Sequence, residues 1–235
     1  MSSTMERVVK RLERGEKTRI LAFGSSNTEH FLPGIHWVEC LGIGLKEKYG
    51  AISTLINTGI GGHTSSDLLN RFDEDAAFYQ PHVAIITIGG NDSSPDKNIS
   101  PADFEANLLE LHRRFAEMGT EVIFQTYYAP NVADLQPQRY ENFRFYSDIV
   151  RKVAAQTGAH LVDHLKRWEP LRDRYLEKYL PLMHDGFHLN SRGNRVMGID
   201  LTRHFNAPLN YHTYDYWGEA LVIQKLMDQL ELESV

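Results

Sequence analysis

Apolar residues along this chain follow two alternating patterns. Short unbroken runs end on glycine: Arg19-Ile20-Leu21-Ala22-Phe23 stops at Gly24, Ser53-Thr54-Leu55-Ile56-Asn57 at Gly59, and Val83 to Ile88 at Gly89-Gly90. Glu121-Val122-Ile123-Phe124-Gln125 and His160-Leu161-Val162-Asp163 are runs of the same kind. Apolar on successive positions and rich in branched residues, they predict strands buried on both faces of a parallel sheet. Between them the spacing changes to steps of three and four. Phe104, Leu108, Leu111, Phe115 and Met118 form one stripe, introduced by Ser100-Pro101 with Asp103 and stopped by Gly119. Tyr140 to Thr157, ended by Gly158, predicts a second helix, and Ser191 to Phe205 the last of the repeating unit. Shorter helical segments are expected from near His36 and from Ser65 to Phe72. Five strands alternating with helices predict a single three-layer α/β domain.

Two stretches break the pattern. Tyr127 to Gln138 holds Pro130 and Pro137 among small polar residues and predicts a long loop. Beyond Phe205, Asn206 to Trp217 is aromatic and irregular, followed by a helical Gly218 to Leu230 with the stripe Ile223, Leu226, Met227, Leu230. That stripe needs an apolar partner, either the domain itself or a second subunit.

Length and charge narrow the class. At 235 residues the chain can bury a substantial core. A net charge of −6 without a basic run argues against nucleic acid as a partner. Cys40 is the sole cysteine, so no internal disulfide forms, which fits a reducing compartment. Met1 to Gly15 is polar with alternating charges, unlike a signal peptide, and no apolar run reaches the ~20 residues of a membrane span. A cytoplasmic location is the expectation.

Four motifs offer candidates for chemistry, each placed beyond a predicted strand, and in open α/β sheets ligands bind at those ends. Gly24-Ser25-Ser26-Asn27-Thr28 offers a hydroxyl, although serine-rich turns also serve backbone hydrogen bonding. Gly59-Ile60-Gly61-Gly62 offers a bare backbone N–H, or simply turns of positive φ; it lacks the lysine of a phosphate loop and dinucleotide spacing. In Gly89-Gly90-Asn91-Asp92 the Asn91 amide is a neutral donor suited to an oxyanion, or a turn residue. Asp185-Gly186-Phe187-His188 joins a carboxylate to an imidazole whose tautomer it can fix. A surface turn and a metal pair are the other readings; no further His, Asp or Cys cluster has ligand spacing. His184 is a rival base, with Asp185 poorly placed to orient it.

Taken together, in this order, the four motifs resemble the blocks of the SGNH hydrolases, also called the GDSL lipase/acylhydrolase family. Phe23 to Thr28, Asn57 to Gly62, Gly89 to Asp92 and Asp185 to His188 carry the resemblance, across residues 19 to about 205. One departure is Ser25, where the family usually has Asp. The resemblance implies a flavodoxin-like α/β/α sandwich with a parallel five-stranded sheet over residues 1–205; the C-terminal extension over 206–235, with its docked amphipathic helix, lies outside the family pattern. It further implies Ser26 as nucleophile, His188 as base, Asp185 as its orienter, and an oxyanion hole from Ser26, Gly62 and Asn91. No cofactor or metal is then needed. The implied activity is hydrolysis of carboxylic esters, with thioester hydrolysis or acyl transfer by the same triad, or a non-catalytic binding protein on the same fold, as alternatives. The partner is a small-molecule ester, with self-association through the extension as a further expectation. Loops Tyr127 to Gln138 and Tyr175 to Met183 are expected to wall the pocket, with Tyr127, Tyr128 and Phe187 as contacts for an acyl group or sugar or as core.

Overall fold

The structure is a computed structural model and describes residues 3–209 and 214–233. Its sheet comprises β1 (Thr18–Gly24), β2 (Ser53–Asn57), β3 (Val83–Thr87), β4 (Glu121–Gln125) and β5 (His160–Val162). All neighbours pair in parallel, in the order β2-β1-β3-β4-β5. This is the flavodoxin-like order. The direction of winding switches between β1 and β3, and the loops leaving those two strands diverge to open a crevice.

Alternation along the strands builds two cores. Ile20, Ala22, Val83, Ile85 and Ile123 face one, while Leu21, Phe23, Ala84, Ile86, Val122 and Phe124 face the other. Side chains from α1 (Thr4–Glu13), α2 (Trp37–Tyr49), α7 (His164–Arg174), α8 (Leu176–Tyr179), α9 (Ser191–His204) and α10 (Tyr214–Leu232) join the first. The second takes α3 (Ser65–Asn70), α4 (Phe72–Asp75), α5 (Pro101–Glu117) and most of the buried face of α6 (Pro137–Thr157). Helices α2 and α9 touch at Gly198, where a Cβ would stand 2.3 Å from that of Cys40.

Two features depart from the sequence reading. The charged N-terminal stretch is a helix, α1, closed by a Ser3–Glu6 capping box. Met5, Val8, Val9 and Leu12 recur at helical spacing on its buried side, and the charges that dominate the stretch lie on the outer one. Conversely, Met118 does not extend the α5 stripe. The helix ends at Glu117 and the chain turns away at Gly119, φ +73°, leaving Met118 exposed beyond the last packed turn.

Helix α10 lays its stripe on the domain itself. Trp217, Ala220, Ile223, Met227 and Leu230 are buried in the first core, and Leu226 packs beside them. Arg167 donates to Asp228 (2.9 Å) and Glu231 (2.7 Å), and Arg203 to Asp228 (2.8 Å). Of the irregular segment expected before this helix, residues 210–213 lie outside the described residues, Ala207 and Leu209 join the first core, and Tyr214 to Trp217 belong to α10 instead of being irregular. Met227→Ala is expected to cost about 2–5 kcal/mol, the range for emptying a buried site of this size. Truncation after Phe205 should lower the melting temperature further, as read by circular dichroism.

Candidate active site

The chain leaves β1 through Gly24, whose missing Cβ would fall 2.4 Å from the Thr87 carbonyl. The two serines that follow part company. Ser25 is buried, and its Oγ lies 2.8 Å from the Tyr127 hydroxyl. Its carbonyl accepts from the N–H groups of Thr28 (2.8 Å) and Glu29 (2.9 Å), which tightens the turn. Ser26 faces the crevice instead, its Oγ 3.0 Å from Nε2 of His188.

His188 comes from the loop before α9. Its Nδ1 stands 2.8 Å from Asp185 Oδ2 and 2.9 Å from Oδ1. Oδ1 also accepts the backbone N–H groups of Phe187 (2.7 Å) and His188 (2.8 Å). Partial burial alone would raise the Asp185 pKa; the Phe187 N–H and the His188 contact outweigh it and hold the carboxyl below its ordinary value. The carboxylate therefore stays charged where an imidazole titrates. With the Nδ1 proton donated to it, the Nε2 lone pair faces the Ser26 hydroxyl, the arrangement for proton abstraction from an attacking serine.

Donors for a developing oxyanion converge on the same crevice. Gly62 has φ +77°, a conformation that a side chain would strain. Among the described residues neither its N–H nor that of Ser26 has a protein acceptor. The Asn91 amide donates one hydrogen to the His63 carbonyl at 2.8 Å, which fixes its plane and leaves the second hydrogen. The glycine loop presses against the serine loop: a Cβ on Gly59 would lie 2.2 Å from the Glu29 nitrogen. Asn57 ties the two, donating to the Thr28 carbonyl (2.6 Å) and accepting from Gly59 N–H (2.9 Å). The resulting cavity, about 300 Å³, is lined by Ser26, Gly62, Asn91, Tyr127, Arg139, Phe187 and His188, with Ser25, Asn27 and Gly90.

Several supporting residues escape sequence reasoning. The Tyr128 hydroxyl lies within hydrogen-bond reach of Asn27 Oδ1 and of the Phe187 carbonyl (2.5 Å), and accepts from Leu189 N–H (3.0 Å). It thus joins the serine loop to the histidine loop. Arg71 donates to the carbonyls of Gly24 (2.9 Å) and Thr58 (2.6 Å), clamping the first two loops. Asp92, buried, accepts from Ser65 N–H at the start of α3 (2.8 Å), and burial raises its pKa. Of these Asp92 had a signal, its place in the third motif, and Tyr128 was expected only as a substrate contact or core residue, not as a link between loops.

Tyr175 to Met183, expected as a wall, contributes nothing to this cavity; Tyr179 and Leu182 belong to the first core because α8 and the turn after it pack inward. The Tyr127 to Gln138 loop lines the cavity through Tyr127 and elsewhere braces the histidine loop, Asn131 N–H donating to the Gly186 carbonyl at 2.9 Å. Tyr128 is core, whereas Phe187 reaches the cavity. The His184 side chain opens on a different cavity, beside Arg192 and Arg195.

The model of the GDSL-like lipase/acylhydrolase family matches residues 22–196. The chain belongs to that family. As a member it is a carboxylic ester hydrolase of the serine type. Among solved structures, the acetyl xylan esterase AlAXEase superposes with a TM-score of 0.69 at 23% identity, covering 78% of this chain and 97% of that one. A catalytic mutant of Axe2, an acetylxylan esterase from Geobacillus stearothermophilus, gives 0.71 at 21% identity over 81% and 95%. LAE5, an α/β hydrolase enzyme from a lake metagenome, gives 0.70 at 24% over 83% and 98%. These likenesses show the fold. A curated relative, the uncharacterized lipoprotein YqeF of Bacillus subtilis (strain 168), is 26% identical over 179 residues, 63% of this chain and 71% of that protein. Among the described residues of this family member, no helix is long and apolar enough to cross a membrane.

Proposed function

We propose that Ser26 attacks the ester carbonyl, His188 takes its proton, and Asp185 orients His188 and stabilises the imidazolium. The Ser26 and Gly62 N–H groups and the Asn91 amide hold the oxyanion. His188 then protonates the leaving alcohol, and water activated by the same imidazole hydrolyses the acyl-enzyme. The observation that carries this reading is the chain of contacts from Asp185 through His188 to Ser26 Oγ, 2.8 and 3.0 Å.

The substrate we propose is a small ester, with acetyl groups on carbohydrate as the leading class. A 300 Å³ cavity offers space for roughly ten water-sized groups, which accommodates a small ester whole and excludes only chains much longer than that. Structural neighbours described as acetyl xylan esterases support the same class. The deciding experiment is a series of esters of graded acyl length, run beside acetylated xylo-oligosaccharides. Fastest turnover at acetyl supports the reading; a maximum at eight carbons or more overturns it. A competing alcohol in the same assay separates hydrolysis from transfer. The lone buried Cys40 supports a cytoplasmic site of action, which cell fractionation tests. Self-association through the extension would use what α10 leaves exposed, Val222 and Leu232, and sedimentation reads it.

Asn91→Ala is expected to lower kcat about a hundredfold to a thousandfold, the usual consequence of losing one oxyanion donor, with KM changing far less. Activity should also fall on acidification through a single protonation, because His188 must be neutral to accept the Ser26 proton. Asp185, held below the ordinary carboxyl range, stays ionised through that transition and adds no second step. A kcat/KM profile with slope one on its acid limb is the result that checks this.

A further inference from the structure

The catalytic cavity contains a cation that the triad mechanism does not use. Arg139 sits in the first turn of α6, and its side chain lines the cavity that holds Ser26 and His188. Its Nη1 donates to Ser93 Oγ (2.5 Å), its Nη2 to the Gly90 carbonyl (2.6 Å), and its Cζ lies 5.1 Å from the Phe187 ring centroid. The guanidinium is thus fixed in plane and position. A guanidinium has five N–H donors, and only two bonds are made. Among the described residues no carboxylate stands within 4.0 Å of it, although most arginines of this protein are paired.

Its setting makes that solitude costly. The group is half-buried, and burial lowers its pKa, with the more distant Asp96 as the largest opposing influence. The first turn of α6 has no acidic residue and no side-chain cap, so the positive end of a 21-residue helix adds to the guanidinium instead of offsetting it. A cation is disfavoured at that end of a helix. In an acidic protein, one unpaired cation focused into the reaction cavity is the signature of a counter-charge supplied by a ligand.

We propose that Arg139 selects esters bearing a carboxylate close to the scissile bond, by a charge-assisted hydrogen bond from its free N–H groups. The carboxylate can come from either side of the ester: a half-ester of a dicarboxylic acid carries it on the acyl part, an acetylated hydroxy acid on the alcohol part. This inference rests on the small-ester hydrolase reading above and narrows it to members that carry a carboxylate, an acetylated acidic sugar being the carbohydrate case.

The test compares monomethyl succinate with methyl succinamate, and O-acetylglycolate with O-acetylglycolamide, each pair differing in one charge. The wild-type protein should favour the anionic member of one pair by about tenfold to a hundredfold in kcat/KM, the range of a hydrogen bond to a charged group. The pair that responds identifies the side. Arg139→Gln should collapse this ratio, and Arg139→Lys should keep part of it. Raising ionic strength should slow the anionic ester alone. If Arg139 merely braces Gly90 and Ser93, both members slow equally in Arg139→Gln and the ratio is unmoved, which overturns the proposal. Equal rates for both pairs in the wild-type protein overturn it as well. Failure to hydrolyse any ester counts against the hydrolase reading. Calorimetry on Ser26→Ala with the same four compounds then decides the charge preference without turnover, and equal affinities reject it.

Discussion

Ser26→Ala is expected to lower kcat about a millionfold and to abolish labelling by a fluorophosphonate probe. The magnitude follows from triads that act as a unit, where loss of the nucleophile costs as much as loss of the whole set. The neighbouring serine is the internal control. Ser25 Oγ is engaged with the Tyr127 hydroxyl, away from His188, so Ser25→Ala removes one buried hydrogen bond and no chemistry. It should label normally and lose stability by about 1–3 kcal/mol. A dead Ser25→Ala beside an active Ser26→Ala would reverse the assignment.

Asp185→Asn is expected to lower kcat about ten-thousandfold while the fold survives. The carboxylate accepts from three donors, the Nδ1–H of His188 and two backbone N–H groups. An amide can rotate its oxygen toward the backbone pair, but its NH₂ then meets Nδ1 and favours the wrong imidazole tautomer. The Nε2 atom would carry the proton and could no longer take one from Ser26. Unchanged thermal melting with lost turnover is the expected pair of readouts. A variant within tenfold of the parent would remove Asp185 from the mechanism.

The centre of the sheet was legible because β1, β3 and β4 are buried on both faces and appear as unbroken apolar runs, whereas the edge strands β2 and β5 are only partly buried, contrary to the expectation from their composition. Helix α5 was legible for the complementary reason, one buried stripe and a cap at Ser100. Helix α1 was missed because its charges outnumber its apolar positions, although Met5, Val8, Val9 and Leu12 had the right period. The site divides in the same way. Ser26, Gly62, Asn91, Asp185 and His188 lie in motifs at strand ends or in the loop before the last helix, where local sequence gives their type and approximate place. Tyr128, Arg71 and Arg139 act across the loops through hydrogen bonds to atoms far away in the chain. No spacing rule encodes such contacts. The aromatic and basic residues that make them look in sequence like ordinary core and surface.

The proposed nucleophile and base are separated by 162 residues of chain, and this spacing has a meaning during synthesis. The serine loop leaves the ribosome early; the histidine loop and α9 follow only after the rest of the sheet. At translation rates of ~5–20 residues per second, the interval between them is roughly 8–30 s. Throughout that time the nascent chain carries a serine with no partner to activate it. With Ser26 and His188 in the roles proposed, the hydrolase is chemically silent while it is still emerging, and becomes competent only when the histidine loop and α9 have docked.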